Sequence, residues 1–415
     1  MKRAAESLGF GSLLALGING IVGVGIFFAP SEVGALVPGN AGILVYLVTA
    51  LALSPVAFVY ATLGGKFAED GGPYVWARAA FGPMVGFGVG WIAWVSAVFS
   101  TSAVVSGLAE HAGPALGLTL PHRVLSLACV AVLAGTAASG LRPSAWVWNG
   151  VTVLKLIPLA ALVVAFLWAG APLSTTPAGS VSPTSFGRAV LVVVFATQGF
   201  EIVPVPAGNA RKSARAVPVA TIAALGTAGL LYVLLHAACV TLPDLAHTAA
   251  PLAEAGRHFG GSSLGRLVLV GTNVSALGIA FGMFAMTPRY LAALGSDDGL
   301  GRWVARGSPH QVPLRALVVT ALAVAVLVSA GGLRELFALS SVAVLAQYCV
   351  SAASLVALGL RRRRGLSPRQ LWPAPLVLVA AAVVAHAATG TELAVAGGVL
   401  LVGAVLRGMH HVVSR

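Results

Sequence analysis

Apolar runs long enough to cross a bilayer recur from one end of this 415-residue chain to the other. Hydrocarbon offers a backbone no hydrogen bonds, so such runs are read as membrane-spanning helices that satisfy their own N–H and C=O groups. They cover approximately 10–30, 40–63, 83–109, 122–140, 147–169, 188–208, 217–242, 264–293, 314–331, 335–360, 372–388 and 391–409. That makes about twelve spans, with little separating the last two. Composition excludes a soluble domain of this length, because 58% of residues are hydrophobic and only 9% are charged. The expected fold is all-α and polytopic, a single transmembrane domain over 1–415.

The formal charge of +13 raises the question of nucleic acid, and its distribution answers it. With both termini cytoplasmic, nineteen Lys and Arg residues fall on inner segments, including Lys66, Arg211, Lys212, Arg215 and Arg361 to Arg364. Five, namely Arg123, Arg188, Arg257, Arg266 and Arg334, fall outside, and Lys155 lies within a span. This is the positive-inside asymmetry of a cytoplasmic-membrane protein. The run Arg361-Arg362-Arg363-Arg364 directly follows a span, so it reads as an anchor beside anionic headgroups, with no nucleic-acid partner. The first apolar segment is longer than a signal-peptide core and is expected to be retained. Cys129, Cys239 and Cys349 all fall within spans and read as packing residues, without a disulfide or zinc role.

Two spans are interrupted. Gly20-Ile21-Val22-Gly23-Val24-Gly25-Ile26-Phe27 places three glycines mid-span, each weakening a helix by about 1 kcal/mol relative to alanine. Unwound backbone at that depth is tolerated where it lines a cavity, so the break marks a ligand site. The second interruption, Phe195-Ala196-Thr197-Gln198-Gly199-Phe200-Glu201, precedes the helix breakers Pro204 and Pro206. The first break opens span one and the second opens span six, in corresponding positions of two five-span halves. Paired breaks of this kind point to a transporter's midplane site.

Two ionisable side chains besides His236 and His386 lie deep in the spans. Lys155 either snorkels to the inner surface or faces a cavity or partner, and dehydration of an amine favours exchange of its proton. Glu201 follows the second break and either satisfies freed backbone N–H groups or takes part in proton movement. His236 and His386 read as packed or bonded histidines. There is no phosphate-cradling glycine–lysine loop and no HExxH zinc motif, so a pump driven by ATP and a membrane enzyme are both disfavoured, and no cofactor is expected.

In aggregate these residues resemble the bacterial amino acid permeases of the amino acid–polyamine–organocation superfamily. Gly20 to Phe27 resembles the signature G-x-x-G-[SAV]-G-I-F, and Phe67-Ala68-Glu69-Asp70-Gly71-Gly72-Pro73-Tyr74 resembles F-P-x-x-G-G-x-Y. Phe81-Gly82-Pro83, Gly90-Trp91, Gly199-Phe200-Glu201, Arg289-Tyr290 with Asp298-Gly299, Pro313 and Tyr348 follow in the family's order. One departure stands out: where members carry an acidic A-E-E-x-K-N-P after the sixth span, this chain reads Ala207-Gly208-Asn209-Ala210-Arg211-Lys212-Ser213.

The resemblance implies two inverted five-helix repeats (10–170 and 188–360) plus two peripheral helices (372–409), working by alternating access. It implies that backbone at Val22, Gly23, Val24 and Gly25 binds a substrate carboxylate. Carbonyls at Phe195, Ala196, Gln198 and Gly199 would bind its ammonium. Helix N-termini favour anions and C-terminal carbonyls favour cations, so the assignment agrees with the physics of the breaks. Lys155 falls where sodium-independent members place a fifth-span lysine, its ammonium standing in for sodium. The expected activity is proton-coupled uptake of a neutral L-amino acid, with Lys155 and Glu201 as proton-coupling residues. The alternative is an exchanger of the same fold, including one for polyamines or cationic amino acids. Ile92 and Ala93 of the third span and Ser340, Ser341 and Gln347 of the tenth are expected neighbours of the pocket.

Overall fold

The computed structural model describes residues 8–69, 71–115, 120–139, 145–170, 181–210, 212–296, 300–305, 312–330 and 332–413. In chain order its helices are α1 (Phe10–Ile21), α2 (Val24–Leu36), α3 (Ala41–Lys66), α4 (Pro73–Phe81), α5 (Pro83–Ala115), α6 (His122–Ala138), α7 (Ala145–Ala169), α8 (Pro183–Thr197), α9 (Ser213–Cys239), α10 (Pro251–Ser296), α11 (Arg302–Ala305), α12 (Leu314–Ala330), α13 (Leu333–Leu360), α14 (Pro373–His386) and α15 (Gly390–Val413). Among the described residues the only β pairing is one bridge, Leu8 to Ala210. Among the described residues eight helices are long and apolar enough to cross a membrane, α1 with α2 forms a ninth as a broken pair, and α6, α7 and α12 are shorter apolar helices. Counted with the shorter helices, they match the number of spans expected from the sequence.

Burial orders the helices from centre to rim. In the most apolar stretch of α5, 89% of residues are buried, against 28% in the α14 region and 17% in α15. The last two helices are therefore peripheral, and α5 runs through the middle. The outer faces carry large apolar side chains such as Leu51, Val132, Trp168, Val383 and Leu401, all exposed. So much contiguous apolar surface would drive aggregation in water and is the natural surface toward lipid.

With lipid as apolar as leucine, helices gain little by burying hydrocarbon and associate through close packing of small residues. Gly17 of α1 faces Ala224 of α9, Gly64 of α3 faces Val217 of α9, and Gly271 of α10 faces Pro158 of α7. A side chain at any of these glycines would force two helices apart.

The structure departs from the sequence-based spans at three places. The sixth span ends its regular helix at Thr197 and continues through 3-10 turns at Phe200–Ile202 and Ala207–Asn209, because Pro204 and Pro206 supply no N–H donors. α10 begins at Pro251, well before 264, and bends at Gly260 and Gly261, where φ is −135° and +70°. The connection between the second and third spans holds the short helix α4, started by Pro73 and closed by Gly82 at φ +92°.

Candidate functional site

The first break is two non-helical residues. Val22 has φ −71° and ψ 83°, Gly23 has φ −122° and ψ −162°, and the chain bends by 41° between the flanking helices. A helix end leaves carbonyls without intrahelical partners, and at mid-depth no water can serve them. Other spans supply the donors. The Lys155 ammonium of α7 donates to Asn19 O at 3.0 Å and to Val22 O, and Tyr232 of α9 donates its hydroxyl to Ile21 O at 2.7 Å. Lys155 is 1% exposed, so it does not snorkel. A cation on the C-terminal carbonyls of α1 is favoured by the helix dipole as well as by the bonds. On the other side of the break, α2 starts at Val24 without a side-chain cap, leaving its first N–H groups facing the interruption.

The second break turns on Gly199, whose φ of +128° favours glycine. Its N–H donates to Glu201 Oε2 at 2.7 Å, and the Tyr348 hydroxyl of α13 donates to the same oxygen at 3.4 Å. Glu201 thus bonds a donor freed by the interruption. Two of the carbonyls expected to take an ammonium group, those of Phe195 and Gly199, accept the N–H groups of Gln198 and Ile202. The Phe195 ring stacks on Phe337 with centroids 4.2 Å apart.

The two breaks touch. A Cβ at Gly199 would strike the Gly20 carbonyl group, and one at Gly25 would lie 2.6 Å from Ala196 Cα. Backbone therefore meets backbone at both crossings, and Gly23 approaches Ile279 of α10.

A buried polar cluster adjoins the second break. Ser100 of α5 and Ser340 of α13 lie 2.7 Å apart, and their hydroxyls reach Gln198 Oε1 at 3.4 Å and 3.1 Å. Gln198 Nε2 is buried and has no partner among the described residues. Leaving a buried amide donor unbonded costs about 1–3 kcal/mol, so this group is poised to take an acceptor.

Of the residues anticipated from sequence, Lys155 meets the first break, and Gln198, Gly199 and Glu201 form the second. Ser340 joins them. Gln347 and Ser341 do not: Gln347 donates to Tyr60 Oη at 3.0 Å, and Ser341 donates to Leu191 O at 2.8 Å. Span position alone does not fix which way a side chain points, and here both turn into interhelical bonds. Ile92 is buried. The side chain of Val24, and Arg211 and Asp298-Gly299, lie outside the described residues. Sequence reasoning missed Ser100 and Tyr232. A serine or tyrosine inside an apolar run gives no sign of which way it points, although Ser100-Thr101-Ser102 was a visible polar patch in the third span.

Comparison with known proteins fits this geometry. The family model for amino acid permeases matches residues 8–396. An uncharacterized transporter of Mycobacterium tuberculosis is 30% identical over 98% of this chain and 92% of its own length. A second uncharacterized transporter of that species is 27% identical over 77% of this chain and 72% of its own. An arginine/ornithine antiporter of Pseudomonas aeruginosa is 27% identical over 78% of this chain and 71% of its own. With a family match over nearly its whole length and a broken-span core, the chain belongs to the amino acid permeases and is a multi-pass membrane transporter, not an enzyme.

Proposed function

We propose that this transporter takes up neutral L-amino acids by proton symport across the cytoplasmic membrane, with both termini cytoplasmic. In this reading 10–170 and 188–360 are inverted halves that rock about the two breaks, and 372–409 is peripheral. The substrate carboxylate sits on backbone from Val22 to Gly25, and the Gln198 amide offers a further donor. Its ammonium is received near Phe195, Ala196, Gln198 and Gly199. The observation that carries the coupling is Lys155, whose ammonium bonds the Asn19 and Val22 carbonyls. Loss of its charge removes a cation from the end of α1 and loosens the first break, so protonation and site geometry move together. Glu201, bonded to Gly199 N–H, ties the second break to the same cycle.

Side-chain selectivity follows from what the pocket lacks. Among the described residues Glu201 is the one carboxylate near the breaks, and it already receives Gly199 N–H and Tyr348. A cationic side chain buried there without its own counter-ion is disfavoured by several kcal/mol. The second reading, exchange of cationic amino acids, is favoured by the arginine/ornithine antiporter among the relatives.

One experiment separates the two. Purified protein in liposomes is given labelled alanine, leucine, phenylalanine, arginine or putrescine, under an imposed proton gradient or with unlabelled amino acid trapped inside. Symport of neutral substrates predicts gradient-driven accumulation of the first three. Uptake of arginine or putrescine that needs internal counter-substrate and ignores the gradient would establish the exchanger.

A further inference from the structure

Where α3 crosses α9, beside the turns that follow α13, a groove of about 420 Å³ opens outward. That volume lies in the range of small-molecule pockets, roughly 300–1,000 Å³. Phe58, Thr62, Lys66, Pro218, Ile222 and Gln370 line it. Its two ends differ in chemistry. Lys66 and Gln370 stand at one end. Phe58 and Ile222, both partly exposed, lie toward the other, Phe58 about 12 Å further along α3 by helix rise. Trp372 packs against Phe58 with ring centroids 5.2 Å apart and is itself 53% exposed, an amphipathic ring of the kind found at headgroup level.

The polar end is strongly cationic. Lys66 donates to Gly365 O at 3.1 Å, which brings the basic turn after α13 to the mouth of the groove. Arg362, Arg363 and Arg369 flank that contact, and Lys212 and Arg215 flank Ala214, another residue of the wall. All five are exposed. None of them, nor Lys66, makes an ion pair among the described residues; of the nearby cations only Arg364 does, with Glu69 at 2.7 Å. Unneutralised cations at one end of an outward-open apolar slot are complementary to an anionic amphiphile.

We propose that this groove is a specific site for an anionic phospholipid. The phosphate sits on Lys66 with Arg215 and Arg369 around it, and one acyl chain follows Phe58, Pro218 and Ile222 into the bilayer. The bound lipid bridges the packed α3–α9 pair to the loop after α13, which Lys66 already meets through Gly365 O and Glu69 through its ion pair with Arg364.

The test is native mass spectrometry on the delipidated full-length protein, titrated with phosphatidylglycerol, with phosphatidylcholine of the same chains, or with sn-glycerol 3-phosphate. Phosphatidylglycerol is expected to bind preferentially. Lys66→Gln and Arg369→Gln are each expected to weaken it roughly fivefold, the worth of about one surface cation near anionic lipid. Ala214→Trp fills the wall without touching a charge and is expected to displace the lipid, and Thr62→Phe repeats the block from α3 should the first variant fold poorly. Equal binding of phosphatidylcholine, equal competition by glycerol phosphate, or undiminished lipid binding by both blocking variants each overturns the proposal.

Discussion

Lys155 carries a charge into the middle of the protein and spends it on two backbone carbonyls. Lys155→Ala leaves Asn19 O and Val22 O without that donor, a loss of about 1–3 kcal/mol for each group left unbonded. The expected result in proteoliposomes is collapse of pH-gradient-driven accumulation, with substrate binding or exchange surviving in part. An alanine variant that still concentrates substrate under a gradient makes Lys155 purely structural. Glu201 needs a finer tool, because it bonds Gly199 N–H whatever else it does. Glu201→Gln keeps an acceptor oxygen and is expected to unfold within about 1 kcal/mol of the parent while losing gradient-driven uptake. Glu201→Leu is expected to lose about 1–3 kcal/mol as well. Thermal unfolding in detergent measures the first quantity and uptake the second. Wild-type accumulation by the glutamine variant removes Glu201 from coupling. Both residues were legible in the sequence because a charge in an apolar run is an anomaly. Their partners were not: Lys155 binds carbonyls, which every residue has, and Tyr232 reaches the break from another span.

At the scale of elements, the peripheral α15 is held to the core by an ion pair as well as by the bond from Trp91 Nε1 to Val399 O at 2.8 Å. Arg188 Nη1 in the first turns of α8 lies 2.8 Å and 2.7 Å from the two oxygens of Glu392, which also accept Thr389 N–H at 2.7 Å. The side chains are 20% and 7% exposed, so removing one partner strands a mostly buried charge. Glu392→Ala is expected to cost up to about 3–5 kcal/mol, whereas Arg188→Met with Glu392→Met is expected to recover most of it. A thermal-unfolding double-mutant cycle reads the difference, and additive losses would show that the pair is not coupled. This contact was invisible beforehand, since Arg188 and Glu392 are both span-edge residues that sequence assigns to water. The helices themselves were legible because hydrocarbon leaves a long apolar run little freedom. The exceptions are instructive: α4 and the start of α10 lie outside the apolar runs, where that constraint lapses and turn chemistry at Pro73, Gly82 and Gly261 decides.

For the whole molecule, orientation rests on the charge asymmetry of its loops. Reporter fusions after Arg211 and after Arg364 are expected to read cytoplasm, and fusions within 171–187 the outside. An external signal after Arg364 would invert the tenth span and everything built on it. The larger shape also carries a statement about time. At Gly25 against Ala196, and at Gly199 against Gly20, the two broken spans meet through main chain, with no bulky side chain between them. A barrier made of a phenylalanine or an arginine opens by a rotamer flip in picoseconds to nanoseconds. Main chain has no rotamer to change, so these surfaces part only when a whole half-helix moves, which belongs to the microsecond-to-millisecond range. With the proposed site between the breaks, solute entry is expected to be clocked by collective motion, with no small ion slipping through on the flicker of a single residue. On that reading, the glycines that make the spans look weak in sequence are what would keep the membrane tight between turnovers.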